Sequence, residues 1–182
     1  METMDGGWTV IQKRLDGGLS FDRNWTEYKN GFGEPEGNVW IGNDVIHQLT
    51  KERNSSLYVS ITLVNGSKPY ELYEWFSVSN EEDKYKLFLG GPATGTLGDG
   101  MLKIGNSYVS LPGMSFTTSD KDNDRYDGVN CAVDLKGGWW FNICHHAFLN
   151  GPWSPQNWIN PWYPTIQTGA DIRGTIMMIK RH

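Results

Sequence analysis

The sequence predicts an α+β fold: a central antiparallel sheet, a few short helices and a large loop-rich lobe. Three observations carry this reading. Two β-rich runs flank Asn65-Gly66, which reads as a hairpin turn. Helical periodicity is confined to two short stretches in the first third of the chain. Residues 91–164 are crowded with Gly, Pro, Asn, Asp and Trp. A loop region of that length inside a compact domain is usually a binding lobe, held by ions, disulfides and aromatic clusters.

The elements follow in order. Trp8–Arg14 is rich in β-formers and reads as a strand, and Asp16-Gly17-Gly18 turns the chain. Asp22 is placed to cap a helix over 23–30, which Gly31 stops. After the loop 33–37, Asn43 is placed to cap a second helix over 44–51, with Val45, Ile46 and Leu49 on one face. Residues 57–64 and 69–78 form the hairpin about Asn65-Gly66, and 85–89 a further short strand. The stretch 172–180 is strand-like and returns to the main sheet. One domain accounts for the 182 residues: 1–90 and 165–182 make the sheet region, and 91–164 the lobe.

Lys and Arg total 16 against 21 Asp and Glu, a net charge of −5. That balance argues against a nucleic-acid footprint and against a polybasic membrane patch. No apolar run approaches the length of a membrane span. With 9 Trp the chain is too aromatic to be disordered, and with 22 Gly it is too glycine-rich to be mostly helical. Met1 leads into Glu2-Thr3-Met4-Asp5, a start that does not read as a signal peptide and is also expected of a piece cut from a longer secreted chain. The two cysteines, Cys131 and Cys144, permit one disulfide worth roughly 3 kcal/mol if unstrained, or two buried thiols. Three N-x-S/T triplets, at Asn24, Asn54 and Asn65, are glycosylation candidates and favour a secreted chain.

The densest cluster of chemistry is residues 120–128, DKDNDRYDG. Carboxylates so close repel one another unless a cation sits among them, and a hard cation with oxygen ligands suits them. An EF-hand is excluded: counted from Asp120, the sixth position is Arg125 and the twelfth Cys131. A different calcium loop and a solvated acidic loop both remain open. His145 and His146 lack zinc spacing, and no G-x-S-x-G elbow occurs, so the residues point away from an enzyme.

Taken together, the motifs resemble the fibrinogen C-terminal domain, or fibrinogen-related, family across nearly the whole chain. Asp5 to Arg14, DGGWTVIQKR, looks like the family's opening segment, one glycine short. FDRNWTEYKNGF at 21–32, VWIGNDVIHQL at 39–49, TGTLGDGM at 94–101 and FTTSDKDND at 116–124 follow in the family's order. NCA, GGWWF, Cys144-His145 and Leu149-Asn150-Gly151 complete it.

The resemblance implies an extracellular, non-catalytic recognition domain that oligomerises through segments absent from this chain, the family's first disulfide being among them. It implies a Cys131–Cys144 disulfide, and Ca2+ held by the side chains of Asp122 and Asp124 and the backbone carbonyls of Tyr126 and Gly128. It also implies a pocket beside Cys144. In ficolin- and tachylectin-like members such a pocket binds acetyl groups, and in fibrinogen-like members peptide N-termini. Here it would involve Asp134, Leu135, Ile143, Cys144, His145 and Trp158. A cis Ile143–Cys144 bond would turn the N–H groups of Cys144 and His145 toward an acetyl carbonyl. Leu135 stands where acetyl-binding members often have Tyr, and Trp153, Trp158, Trp162 and Tyr163 either wall a ligand or fill the lobe. The expected function is calcium-dependent, lectin-like binding of acetylated glycans or other acetylated compounds in innate immunity. The alternative is a matrix (tenascin-like) or receptor-ligand module with a protein partner.

Overall fold

The computed structural model describes residues 7–52, 55–102, 105 and 107–182. Nine strands, three short α-helices and one turn of 3-10 helix at Gly169–Asp171 occur among them: β1 Trp8–Arg14, α1 Trp25–Asn30, β2 Phe32–Gly33, β3 Val39–Trp40, α2 Asn43–Thr50, β4 Ser55–Leu63, β5 Tyr70–Val78, β6 Leu87–Gly95, α3 Cys131–Leu135, β7 Ile159–Trp162, β8 Ile166–Thr168 and β9 Ile172–Arg181. Seven strands form one antiparallel sheet in the order β2-β3-β1-β9-β4-β5-β6, and β7 and β8 pair separately, which takes 166–168 out of the sheet region expected over 165–182. The expected α+β architecture holds, and the C-terminal strand runs through the middle of the sheet between β1 and β4. Leu57, Val59 and Ile61 alternate into the core, as a strand with a period of two requires.

Several boundaries move, each for a local reason. Asn24, not Asp22, caps α1: Asn24 accepts from the Glu27 N–H, and Glu27 returns a bond to the Asn24 N–H, a complete capping box. Asn43 is the first residue of α2 and not its cap, because its side-chain oxygen is taken by the Trp40 indole N–H at 3.0 Å. Gly42 caps instead, at φ +106°, with the Asn30 backbone 2.9 Å from where a Cβ would stand. Val45 points outward, while Ile46 is buried and Leu49 half-buried. β6 continues past Leu89 to Gly95 through a register shift at Gly91. Strands β2, β3, β7 and β8 and helix α3, none of which the sequence pattern predicts as a separate element, are each five residues or fewer.

Aromatic side chains join the sheet region to the lobe. Phe116 and Trp140 from the lobe pack on Tyr28 and Trp40, with ring centroids 5.0 to 6.1 Å apart. Thr117 and Trp139 exchange backbone hydrogen bonds of 2.9 and 3.1 Å. A buried polar chain completes the join: the Gln12 amide donates to the Leu149 carbonyl and to Asn150 Oδ1, and Asn150 donates to the Gly138 carbonyl.

Candidate functional site

The acidic loop is anchored by its neighbours in the fold. Asn123 donates its side-chain amide to the Phe116 carbonyl, and its backbone N–H to Thr117 Oγ1. Asp120 is spent on structure: its Oδ1 accepts from the Trp25 N–H at the start of α1 and from the Thr118 hydroxyl. Asp122 accepts from the Asp124 N–H at 3.3 Å. Asp124 accepts from the Tyr126 N–H with one oxygen and from the Cys131 N–H with the other, both at 2.8 Å. The acidic loop is thereby tied to the first residue of α3, whose cap is Asn130.

Cys131 and Cys144 are bonded, with Cα atoms 5.6 Å apart. The bridge carries the loop's order across to 142–145. Two backbone bonds reinforce it, from the Arg125 N–H to the Asn142 carbonyl and from the Ile143 N–H to the Tyr108 carbonyl. Burial raises the Asp124 pKa, and the neighbouring Asp122 charge raises it further, against the backbone hydrogen bonds that lower it. Two neighbouring carboxylates with backbone carbonyls close by fit a hard cation, although Lys121 and Arg125 lie in the same loop. Gly128 takes φ +77° at the turn, and the Tyr126 carbonyl already accepts from the Val129 N–H. Among the described residues no cluster of three or more His, Cys, Asp or Glu forms a metal site, so any cation here would depend on backbone oxygens.

The expected pocket residues divide. Asp134 and Ile143 are exposed, and Leu135, Cys144 and His145 are half-buried around the disulfide. Trp158 is interior: its indole N–H donates to the Phe148 carbonyl. Trp162 is buried as well, and Trp153 packs on Trp158, so this aromatic group chiefly fills the lobe. The His145 ring packs against Phe141 and Phe148, and its Nδ1 is buried without a hydrogen-bond partner. Burial, with the neighbouring His146, lowers its pKa to about 4.

One expectation is corrected. Among the described residues the only cis peptide bond precedes Pro164, so Ile143–Cys144 is trans. A non-proline cis bond costs about 3–4 kcal/mol, and here the trans chain closes on itself through an Asn142 N–H to Cys144 carbonyl bond of 2.9 Å. Asn24 and Asn65 are exposed, Asn65 in a turn where its side chain accepts from Ser67. Asn54 lies outside the described residues. Two features escaped the sequence reading: the exposed Tyr108, which no motif marks, and the fully buried Arg14, which looks like any strand-end cation.

Residues 1–178 match the family described as the C-terminal globular domain of fibrinogen beta and gamma chains. The chain is 44% identical to dog angiopoietin-2 over 99% of its own length, which is 36% of that protein. It is 46% identical to human fibroleukin over 87% of its length and 35% of that protein. It thus spans about a third of these curated relatives. Among solved structures it resembles lamprey fibrin D-dimer complexed with the peptide Gly-His-Arg-Pro-amide, at a TM-score of 0.84 and 30% identity, covering 99% of this chain and 63% of that one. These likenesses point to the family at large, with angiopoietin and fibroleukin members, and not to ficolins or tachylectins in particular.

Proposed function

The chain belongs to the family of fibrinogen C-terminal globular domains, and from that premise we propose that its lobe binds a protein partner. Domains of this family are non-catalytic recognition modules, and this one is extracellular. The observation that carries the protein-partner reading is an apolar surface on the lobe. Tyr108 is 66% exposed, Tyr126 45%, Val133 41% and Ile143 38%. The 108–143 and 125–142 hydrogen bonds and the disulfide hold the segments bearing these side chains together. Exposed aromatic and aliphatic groups on a preformed frame are what protein interfaces bury at their centres. The lamprey fibrin relative was solved with a bound peptide, so a polypeptide ligand suits this fold.

Calcium is the proposed cofactor, held by the side chains of Asp122 and Asp124 with backbone oxygens of Tyr126 and Gly128. When bound, it would neutralise the repelling carboxylates and stiffen the loop that carries Tyr126. The narrower reading, an acetyl group bound at Cys144 and His145 and bordered by Asp134, Leu135 and Ile143, has less support. The trans 143–144 bond and the interior place of Trp158 both weaken it. Oligomerisation is assigned to segments outside this domain.

The test is a binding screen against extracellular proteins and N-acetylated glycans, each with calcium and with chelator. The expected result is protein binding that Ile143→Asp abolishes, with the glycans silent. Calcium-dependent glycan binding that Ile143→Asp leaves intact would contradict the proposal.

A further inference from the structure

Arg14 ends β1 with only 1% of its surface exposed. Its guanidinium carbon lies 4.3 Å from the centroid of the Phe21 ring, 4.9 Å from Trp158 and 5.1 Å from Trp153. Nη1 donates to the carbonyls of Leu149, at 3.1 Å, and Gly151, at 2.5 Å, neither of which is charged. Nε is buried with no hydrogen-bond partner. The ion pairs found among the described residues, Arg23–Glu27 and Lys29–Glu81, do not include it. Burial lowers its pKa to about 10, so it remains a cation at neutral pH. Buried charges are normally paired, because an unpaired one forfeits its hydration without compensation.

Arg14 lines a pocket of about 300 Å3 between the 17–22 loop, the end of α3 and Trp153. Lys136, exposed just after α3, contributes a second cation. Ser20 contributes a hydroxyl whose oxygen accepts from the Asp22 N–H, which leaves its proton free to donate. Against these stands one carboxylate at the rim, Asp22, while Leu19, Phe21 and Trp153 supply apolar wall. The pocket is locally cationic in a domain whose net charge is −5.

We propose that this pocket binds a carboxylate carried on an apolar group. Aromatic rings cover the guanidinium, Nη1 is bonded and the Nε edge is closed to solvent, so Arg14 acts on an oxyanion in the pocket through its uncompensated charge, while Lys136 and the Ser20 hydroxyl reach it directly. Lys136 faces the same anion, and the apolar substituent lies against Trp153 and Phe21. The carboxylate belongs either to a small free acid or to the C-terminus of a polypeptide. None of the pocket's lining residues is among the calcium or lobe-surface candidates, so this site stands or falls apart from them.

The test is an NMR titration of the whole chain, reading the Trp153 indole N–H and the Arg14 Nε–H. The probes are N-acetyl-leucine, its amide, and a leucine-terminated peptide with a free or amidated C-terminus. The acid is expected to saturate both signals with a dissociation constant on the order of 1 mM, and the amide to bind at least about tenfold more weakly. Lys136→Gln should weaken the acid about three- to fivefold, and Asp22→Asn should tighten it by a similar factor. Both side chains are exposed, so folding is not at stake. A free-terminus peptide binding more tightly than the acid identifies a polypeptide ligand, and equal affinity identifies a small acid. Equal shifts from acid and amide, no saturation, or no response to either substitution would overturn the proposal.

Discussion

Replacing Gln12 by Met tests how the sheet holds the lobe. The side chain is fully buried and makes three hydrogen bonds. It donates to the Leu149 carbonyl and to Asn150 Oδ1, both at 3.1 Å, and accepts from the Thr175 hydroxyl at 3.0 Å. Methionine nearly keeps the volume, so the packing loss is small and the polar loss is isolated. Leu149 retains its bond from Arg14, whereas Asn150 Oδ1 and the Thr175 hydroxyl lose the partner. Three bonds at about 1 kcal/mol each, with two groups left buried, give a loss of about 2–4 kcal/mol. For a domain of this size that is a fall in Tm of roughly 5–15 °C. The assay is reversible chemical unfolding with thermal melts beside it. Hydrogen exchange should show the Gly138 and Asn150 amides opening more readily than those of β4. A loss below about 1 kcal/mol, or exchange unchanged near Asn150, would refute the idea that Gln12 fastens sheet to lobe.

Three further outcomes follow from the same geometry. His145 has a folded pKa of about 4, below its ordinary 6.5, so the unfolded chain binds more protons between those values. Stability should therefore fall as pH drops from about 6.5 toward 4, and His145→Phe should flatten that slope in pH-dependent melts. Gly138→Ala would push a Cβ to within 2.6 Å of Tyr28 and 2.9 Å of Phe116; rigid rings cannot yield cheaply, so unfolding titrations should show a loss of about 1–3 kcal/mol. Asp122→Ala should lower Tm in calcium but not in chelator, and equal melting of variant and parent in calcium would contradict the cation assignment.

Much of the sheet was legible because its strands are rich in β-formers and Asn65-Gly66 marks a turn, although six residues, 64–69, join β4 to β5. The Cys131–Cys144 bridge and the acidic loop were legible through the family resemblance more than through local pattern. What escaped was decided by tertiary contact. The Asn43 side chain looked like a cap, but Trp40 claims it. Helix α3, five residues long, carries too little periodicity to be seen, and it exists because Asn130 and Asp124 satisfy the N–H groups at its start. Trp158 looked like a ligand wall and proved to be interior packing, since sequence does not say which of several clustered tryptophans faces inward. Arg14 was invisible for the same reason: its missing counter-ion is a property of the folded environment.

The most direct test of the recognition reading is binding of the labelled domain to cells whose surface glycans have been oxidised with periodate. Binding should survive oxidation and saturating N-acetylglucosamine, and should be lost in Ile143→Asp. Binding abolished by either sugar treatment, yet unchanged by Ile143→Asp, would contradict a protein partner at the apolar lobe surface.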